Sequence, residues 1–98
     1  MLNFFYKDKG KVSYIVKGKP GTFNVTYQCG EETHQFDEVR SGWKYSFDPC
    51  KSGYYYISAQ ANQKNASVTV RVYCKGKLIQ EVINSGDYAI ALAAGTRK

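Results

Sequence analysis

A hairpin pattern between Val68 and Ile83 constrains the fold of this chain more than any other stretch. Alternate residues from Val68 to Cys74 are apolar, and the residues between them are polar or amphipathic. This period of two is the pattern of a strand with one buried face. Gly76 follows in a Lys-Gly-Lys turn, and a second apolar segment covers 78–83. Because a strand with one apolar face must be covered by another layer, the hairpin predicts an all-β domain.

Further segments along the chain have the composition of strands, and turns with glycine, proline or asparagine separate them. They are 11–17, 22–29, 33–39, 43–47, 54–63 and 88–93. Turn signals every ~8–12 residues over about a hundred residues are typical of an immunoglobulin-like sandwich. We therefore predict an all-β, immunoglobulin-like β-sandwich of seven or eight antiparallel strands.

The chain length predicts one domain. A chain of 98 residues can form a single core but leaves no room for a separate catalytic module. We expect the β-sandwich over 11–95, a linker or the remnant of an upstream anchor over 1–10, and a frayed tail over 96–98. No apolar run approaches the ~20 residues of a membrane span.

The charge of the chain raises the question of a polyanionic partner, since 14 basic and 8 acidic residues give a formal charge of +6. The lysines, however, are spread over turns, strand edges and both ends rather than gathered in one block. This dispersion favours a solvated surface whose lysines protect sheet edges from aggregation over a nucleic-acid or anionic-surface footprint. We therefore do not expect nucleic acid as a partner.

The three cysteines do not form a metal motif. Cys29, Cys50 and Cys74 lack the short spacing of zinc ligands and the chain has one histidine, so we expect neither metal nor cofactor. In an immunoglobulin-like sandwich the second strand and the first strand of the late hairpin run roughly parallel in opposite sheets. Because Cys29 and Cys74 close these strands, we predict a disulfide between them with Cys50 as a free thiol. Three unpaired thiols remain the alternative.

No set of residues predicts catalysis. His34 follows Cys29 closely, but no third group is present to orient a thiol–imidazole pair. The neighbouring acids Asp37 and Glu38 point to opposite faces of a strand, so they do not form a shared acid–base site. We therefore predict no catalytic residues and no enzyme activity.

Tyrosines form the most promising candidate for ligand binding. Strand alternation assigns Tyr54, Tyr56 and Tyr73 to outward positions, together with Arg71. An exposed aromatic platform of this kind binds sugars or peptides, although tyrosines on neighbouring strands also cover a sheet face without binding anything. The predicted ligand-binding residues are Tyr54, Tyr56, Arg71 and Tyr73.

A series of short motifs runs through the chain. They are Val12-Ser-Tyr14-Ile-Val16-Lys-Gly18, Phe23-Asn-Val25-Thr-Tyr27, Gly42-Trp43, Ala59-Gln60-Ala61, Val68–Val72, Gly76, Glu81 and Gly86-Asp87-Tyr88. In the order of these motifs, over about residues 11 to 93, the chain resembles the small mycobacterial membrane protein (MmpS) family and related bacterial envelope lipoproteins. Gly42 stands where the family has proline.

The resemblance implies a function as well as a fold. Members of the family are membrane-tethered periplasmic domains that assist resistance–nodulation–division transporters of lipids or siderophores. We therefore expect a non-enzymatic binding or accessory domain in the periplasm or on the outer surface of the bacterial envelope, with a protein or lipid-like partner. It would meet the membrane only through a lipid or membrane anchor outside this chain. The alternative is a carbohydrate-binding or adhesion module that binds a glycan through the exposed tyrosines.

Overall fold

A computed structural model describes residues 12–29, 32–47, 54–74 and 76–96, without the side chains of Cys29, Phe47, Tyr54 and Thr96. The expected linker at 1–10 and Cys50 lie outside the described residues. The described residues form eight strands: β1 (Val12–Lys19), β2 (Thr22–Cys29), β3 (Glu32–Arg40), β4 (Trp43–Phe47), β5 (Tyr54–Ala61), β6 (Ala66–Cys74), β7 (Lys77–Gly86) and β8 (Ile90–Thr96). The last strand thus extends one residue into the expected tail.

The strands form two antiparallel sheets of four strands each. Sheet A has the order β4-β1-β6-β7, and sheet B has the order β3-β2-β5-β8. Their inner faces pack together around one hydrophobic core. The predicted all-β sandwich of seven or eight antiparallel strands is therefore confirmed, with eight. In the described part of the chain, no helix has the length and apolar character needed to cross a membrane.

Strand alternation builds the core as the sequence predicts. In β6 every second residue from Ala66 to Cys74 is buried, and β1 repeats this pattern from Val12 to Val16. Full burial of one Val or Ile side chain stabilises the fold by about 1.5–3 kcal/mol. The fully buried large side chains are Tyr14, Val16, Phe23, Val25, Ile57, Val68, Val70 and Val72.

The last strand, β8, carries small side chains on its inner face and large side chains on its outer face. It begins at Ile90, because Asp87 and Tyr88 form a turn. The alanines at alternate positions from 89 to 93 are buried, while Ile90 is 47% exposed. Ala91 pairs with Ala59 of β5, so small side chains line the inner face of both strands here.

The two sides of the sandwich differ. At the side formed by β7 and β8, hydrogen bonds cross between the sheets. The Tyr55 hydroxyl donates to Gln80 Oε1 at 2.7 Å, and Asn84 Nδ2 donates to the carbonyl oxygen of Ile90 at 2.9 Å. At the opposite side, β3 and β4 are the edge strands. Their inward positions carry aromatic side chains, which form the candidate site below.

Because Tyr14 is buried, we expect the stability of the fold to decrease at alkaline pH. Burial raises the pKa of its hydroxyl to about 12, whereas an unfolded tyrosine has a pKa of about 10. Between these values the unfolded chain releases a proton that the folded chain keeps, so the free energy of unfolding falls as pH rises. The slope for one such group is at most about 1.4 kcal/mol per pH unit, and below about pH 10 the stabilisation is fully present.

We expect Tyr14→Phe to flatten part of this alkaline decline. The variant also removes the hydroxyl that accepts a hydrogen bond from the Tyr56 amide at 3.2 Å, which costs about 1 kcal/mol near neutral pH. Urea unfolding between about pH 8 and 11 measures both effects. Tyr88→Phe, which changes a tyrosine that is about half exposed, is the control. A decline as steep in Tyr14→Phe as in the wild type contradicts the prediction.

Candidate functional site

The structure separates the four residues of the predicted tyrosine platform. Arg71 and Tyr73 lie on the outer face of sheet A, in β6, whereas Tyr56 lies on the outer face of sheet B, in β5. Tyr54 belongs to β5 as well, but its side chain is outside the described part. Because β5 and β6 are consecutive strands in different sheets, their outward faces point away from each other. One platform containing both Tyr56 and Tyr73 is therefore not formed.

Arg71 already has a partner. Its Nε lies 2.6 Å from Glu81 Oε2, across the β6–β7 pair in which the two residues are directly opposite. The hydrogen bond that Arg71 donates to the Glu81 carboxylate raises the pKa of the Arg71 guanidinium above its ordinary value. A ligand would have to compete with Glu81 for this cation. Tyr73 borders a shallow hollow of about 210 Å³ on the same face.

Five side chains from three strands form an aromatic cluster at the β3–β4 side of the sandwich. They are Tyr27 of β2, His34 and Phe36 of β3, and Trp43 and Tyr45 of β4. All five occupy positions that face the space between the sheets. Because β3 and β4 are edge strands, no further strand within the described ranges covers this side.

Tyr27 lies at the centre of the aromatic cluster. Its ring centroid is 5.1 Å from that of His34, 6.0 Å from that of Phe36 and 5.0 Å from that of Tyr45. Trp43 and Tyr45 lie nearly parallel, with an angle of 11° between their planes. Centroid separations of about 4.5–7 Å are favourable for aromatic pairs. The rings therefore hold one another in place.

The aromatic cluster has a buried base and an exposed rim. Tyr27 is 2% exposed, whereas Phe36 is 39% and Tyr45 is 38% exposed. Trp43 is half-buried. Rings fixed by their neighbours lose little side-chain freedom when a ligand binds, which favours affinity. The rim offers flat apolar surface that is already ordered.

Polar groups accompany these rings. Burial, together with the hydrogen bond to Tyr45, raises the pKa of Tyr27 well above its ordinary value. His34 Nε2 lies 3.4 Å from Glu32 Oε1 at the solvent-exposed end of the cluster. The surface thus combines the stacking faces of the rings with an imidazole and a carboxylate.

The sequence did not predict the aromatic cluster as a site. The alternation in β4 predicts Trp43 and Tyr45 on the inward side, which is confirmed, and it suggests that they fill one end of the core. In the structure they are only partly buried because β4 is an edge strand. Phe36 stands alone among polar neighbours in the sequence. Its proximity to Trp43, with ring centroids 5.6 Å apart, depends on two edges that meet across the sandwich.

The cysteine prediction is only partly covered by the structure. Cys74 is buried at the end of β6 and carries a free thiol. The side chain of Cys29 and the whole of Cys50 lie outside the described residues, so a Cys29–Cys74 disulfide formed on oxidation stays a prediction. Among residues that the structure describes, no three His, Cys, Asp or Glu side chains are placed to hold a metal ion.

Comparison of the chain with known protein families finds no family that matches it. Comparison with curated proteins finds no similar sequence. The relationship to the MmpS family therefore stays a prediction from sequence motifs. The β-sandwich and the surfaces described above are the features that bear on function.

Proposed function

We propose that the protein is a non-enzymatic binding domain and that the aromatic cluster contacts its ligand, a carbohydrate. The observation that carries this proposal is the set of partly exposed rings held against one another by Tyr27. A sugar ring presents an apolar face of C–H groups that stacks on such rings. Its hydroxyls would then reach the polar groups of His34 and Glu32.

An open surface suits a sugar better than an acyl chain. Small-molecule sites commonly bury 70–90% or more of their ligand. Here the interior is occupied by fully buried side chains such as Val25, Ile57 and Val70, and alanines face inward from β5 and β8. The exposed rings of Phe36 and Tyr45 instead provide a shallow surface to which hydrated ligands can bind. This contrast supports a carbohydrate over an enclosed lipid chain.

A role in the bacterial envelope is the second candidate function. The order of motifs shared with the MmpS family supports an extracytoplasmic accessory domain that partners a transporter of lipid-like cargo, and the sandwich is the fold expected for it. The gene neighbourhood separates the two roles. A transporter gene beside the gene for this chain favours the accessory role, while genes for glycan degradation favour carbohydrate binding.

Trp43→Ala tests the carbohydrate site. A glycan array identifies the bound sugar, and calorimetry with that sugar is expected to show affinity about 10- to 100-fold lower in the variant. Tyr56→Ala is the matched control, because it removes an aromatic ring on the outer face of sheet B. Circular dichroism must show both variants folded.

Two results contradict the carbohydrate proposal. The first is a folded wild-type protein that binds no glycan on the array. The second is a loss of binding in Tyr56→Ala with none in Trp43→Ala, which would place the site on the outer face of sheet B rather than at the aromatic cluster.

A further inference from the structure

The strand pairing places basic and aliphatic side chains side by side on the outer face of sheet A. One row across the sheet consists of Lys17 of β1, Thr69 of β6 and Ile83 of β7. The next row, toward the hairpin tip, contains Lys44, Ile15, Arg71 and Glu81. Lys19 lies beyond the first row, and Ser13, Tyr73 and Leu78 beyond the second. We call this surface the basic face.

Positive charge dominates the basic face. It carries the four cations Lys17, Lys19, Lys44 and Arg71 and the anion Glu81. Glu81 is paired with Arg71. None of the three lysines has a salt bridge to another described residue, and all three are exposed. Lysines dispersed in the sequence are therefore neighbours in the fold.

The same face exposes large aliphatic side chains at its β7 edge. Ile83 is 65% exposed and Leu78 is 48% exposed. Near the hairpin tip, Lys44, Ser13 and Tyr73 also border the hollow of about 210 Å³. One ammonium group and two hydroxyl groups beside an open hollow are chemically suited to an anionic headgroup.

We propose that the basic face binds the surface of an anionic lipid bilayer. The lysines lie against lipid phosphates, the hollow beside Lys44 receives one headgroup, and Ile83 and Leu78 enter the interfacial region. This contact is independent of carbohydrate binding, because the aromatic cluster lies at the β3–β4 side of the sandwich. It also differs from the expectation that only an anchor outside this chain would meet the membrane.

The side chains of the basic face favour a bilayer over an acidic protein. Its exposed aliphatic side chains, Ile83 and Leu78, lie on the same face as lysines that have no salt bridge to another described residue. A bilayer surface offers anionic phosphates and an apolar layer together, so it can contact both kinds of side chain. Every lysine near an anionic surface also adds its own attraction.

Vesicle flotation tests the proposal with the full chain. We expect the protein to float with vesicles containing one third phosphatidylglycerol, to stay behind with pure phosphatidylcholine, and to be released as salt rises. Neutralising one lysine should lower partitioning about fivefold, so Lys17→Gln with Lys44→Gln should lower it about 30-fold. Arg40→Gln with Lys64→Gln removes the same charge outside the basic face, and we expect it to change partitioning less than about threefold.

The aliphatic contact has its own pair of variants. We expect Ile83→Ser to lower partitioning about fivefold, whereas Ile90→Ser, which changes an exposed isoleucine on sheet B, should leave it unchanged. A folded wild-type protein that does not bind anionic vesicles overturns the proposal. Equal losses of partitioning in the two charge variants overturn it as well. Retention on immobilised polyglutamate without vesicle binding also overturns it and assigns an acidic protein partner instead.

Discussion

Ile57→Ala is expected to lower the free energy of unfolding by about 3 kcal/mol. Ile57 lies in β5 with no exposed surface, and its neighbours in the sheet are Tyr27 of β2 and Ala93 of β8. Because strands on both sides fix the backbone, the cavity left by the truncated side chain cannot fully collapse. The loss therefore includes both the burial of the removed atoms and the cavity.

The fluorescence of the single tryptophan, Trp43, reports this unfolding in urea. Ile90→Ala is the matched control, because it truncates an exposed isoleucine in the same sheet, and we expect it to cost less than about 1 kcal/mol. For a domain of this size, the predicted loss corresponds to a drop in melting temperature of about 12 °C or more. Similar losses in the two variants would show that β5 and β8 do not have the burial described here.

Gly18→Ala is expected to destabilise the fold by about 3 kcal/mol as well, but through crowding. A Cβ atom at Gly18 would collide with the carbonyl oxygen of Ser67 in the neighbouring strand β6 and would lie 2.8 Å from Cζ of the Phe23 ring. The carbonyl is part of the backbone and cannot move without disturbing the β1–β6 pairing. Phe23 is fully buried, so its ring has little room to shift.

Gly95→Ala is the control for this crowding. A Cβ atom there would lie 2.7 Å from the Tyr55 hydroxyl, which is the end of a side chain and can move. Movement costs the Tyr55–Gln80 hydrogen bond, so we expect a loss of about 1 kcal/mol. Urea unfolding ranks the variants. A Gly95→Ala variant less stable than Gly18→Ala would contradict the close approach of β1 and β6.

The strands were predictable because their signal is local. Alternation within Val68–Cys74, or from Val12 to Val16, is set by residues next to one another in the chain, and the buried faces follow it. Alternation does not tell which sheet a strand joins. For this reason Tyr56 and Tyr73, both outward, were expected together but lie on opposite faces of the sandwich.

Both surfaces proposed for function depend on such non-local pairing. The aromatic cluster requires β3 and β4 to be edge strands of different sheets that meet on one side. The basic face requires Lys17 of β1 and Lys44 of β4 to lie on adjacent strands, although they are far apart in the sequence. The sequence shows the residues of both surfaces, but their proximity is a property of the topology.

The strand order also divides the chain into two halves, β1–β4 and β5–β8, each of which contributes one pair of adjacent strands to each sheet. In the first half β1 pairs with β4 and β2 pairs with β3, and in the second half β5 pairs with β8 and β6 pairs with β7. Strand pairing joins the two halves where β1 lies beside β6 and where β2 lies beside β5. Until β5 and β6 leave the ribosome, one edge of β1 and one edge of β2 therefore have no strand paired with them. Folding of the sandwich has to wait for the second half, and chaperones that cover open edges would act during that interval.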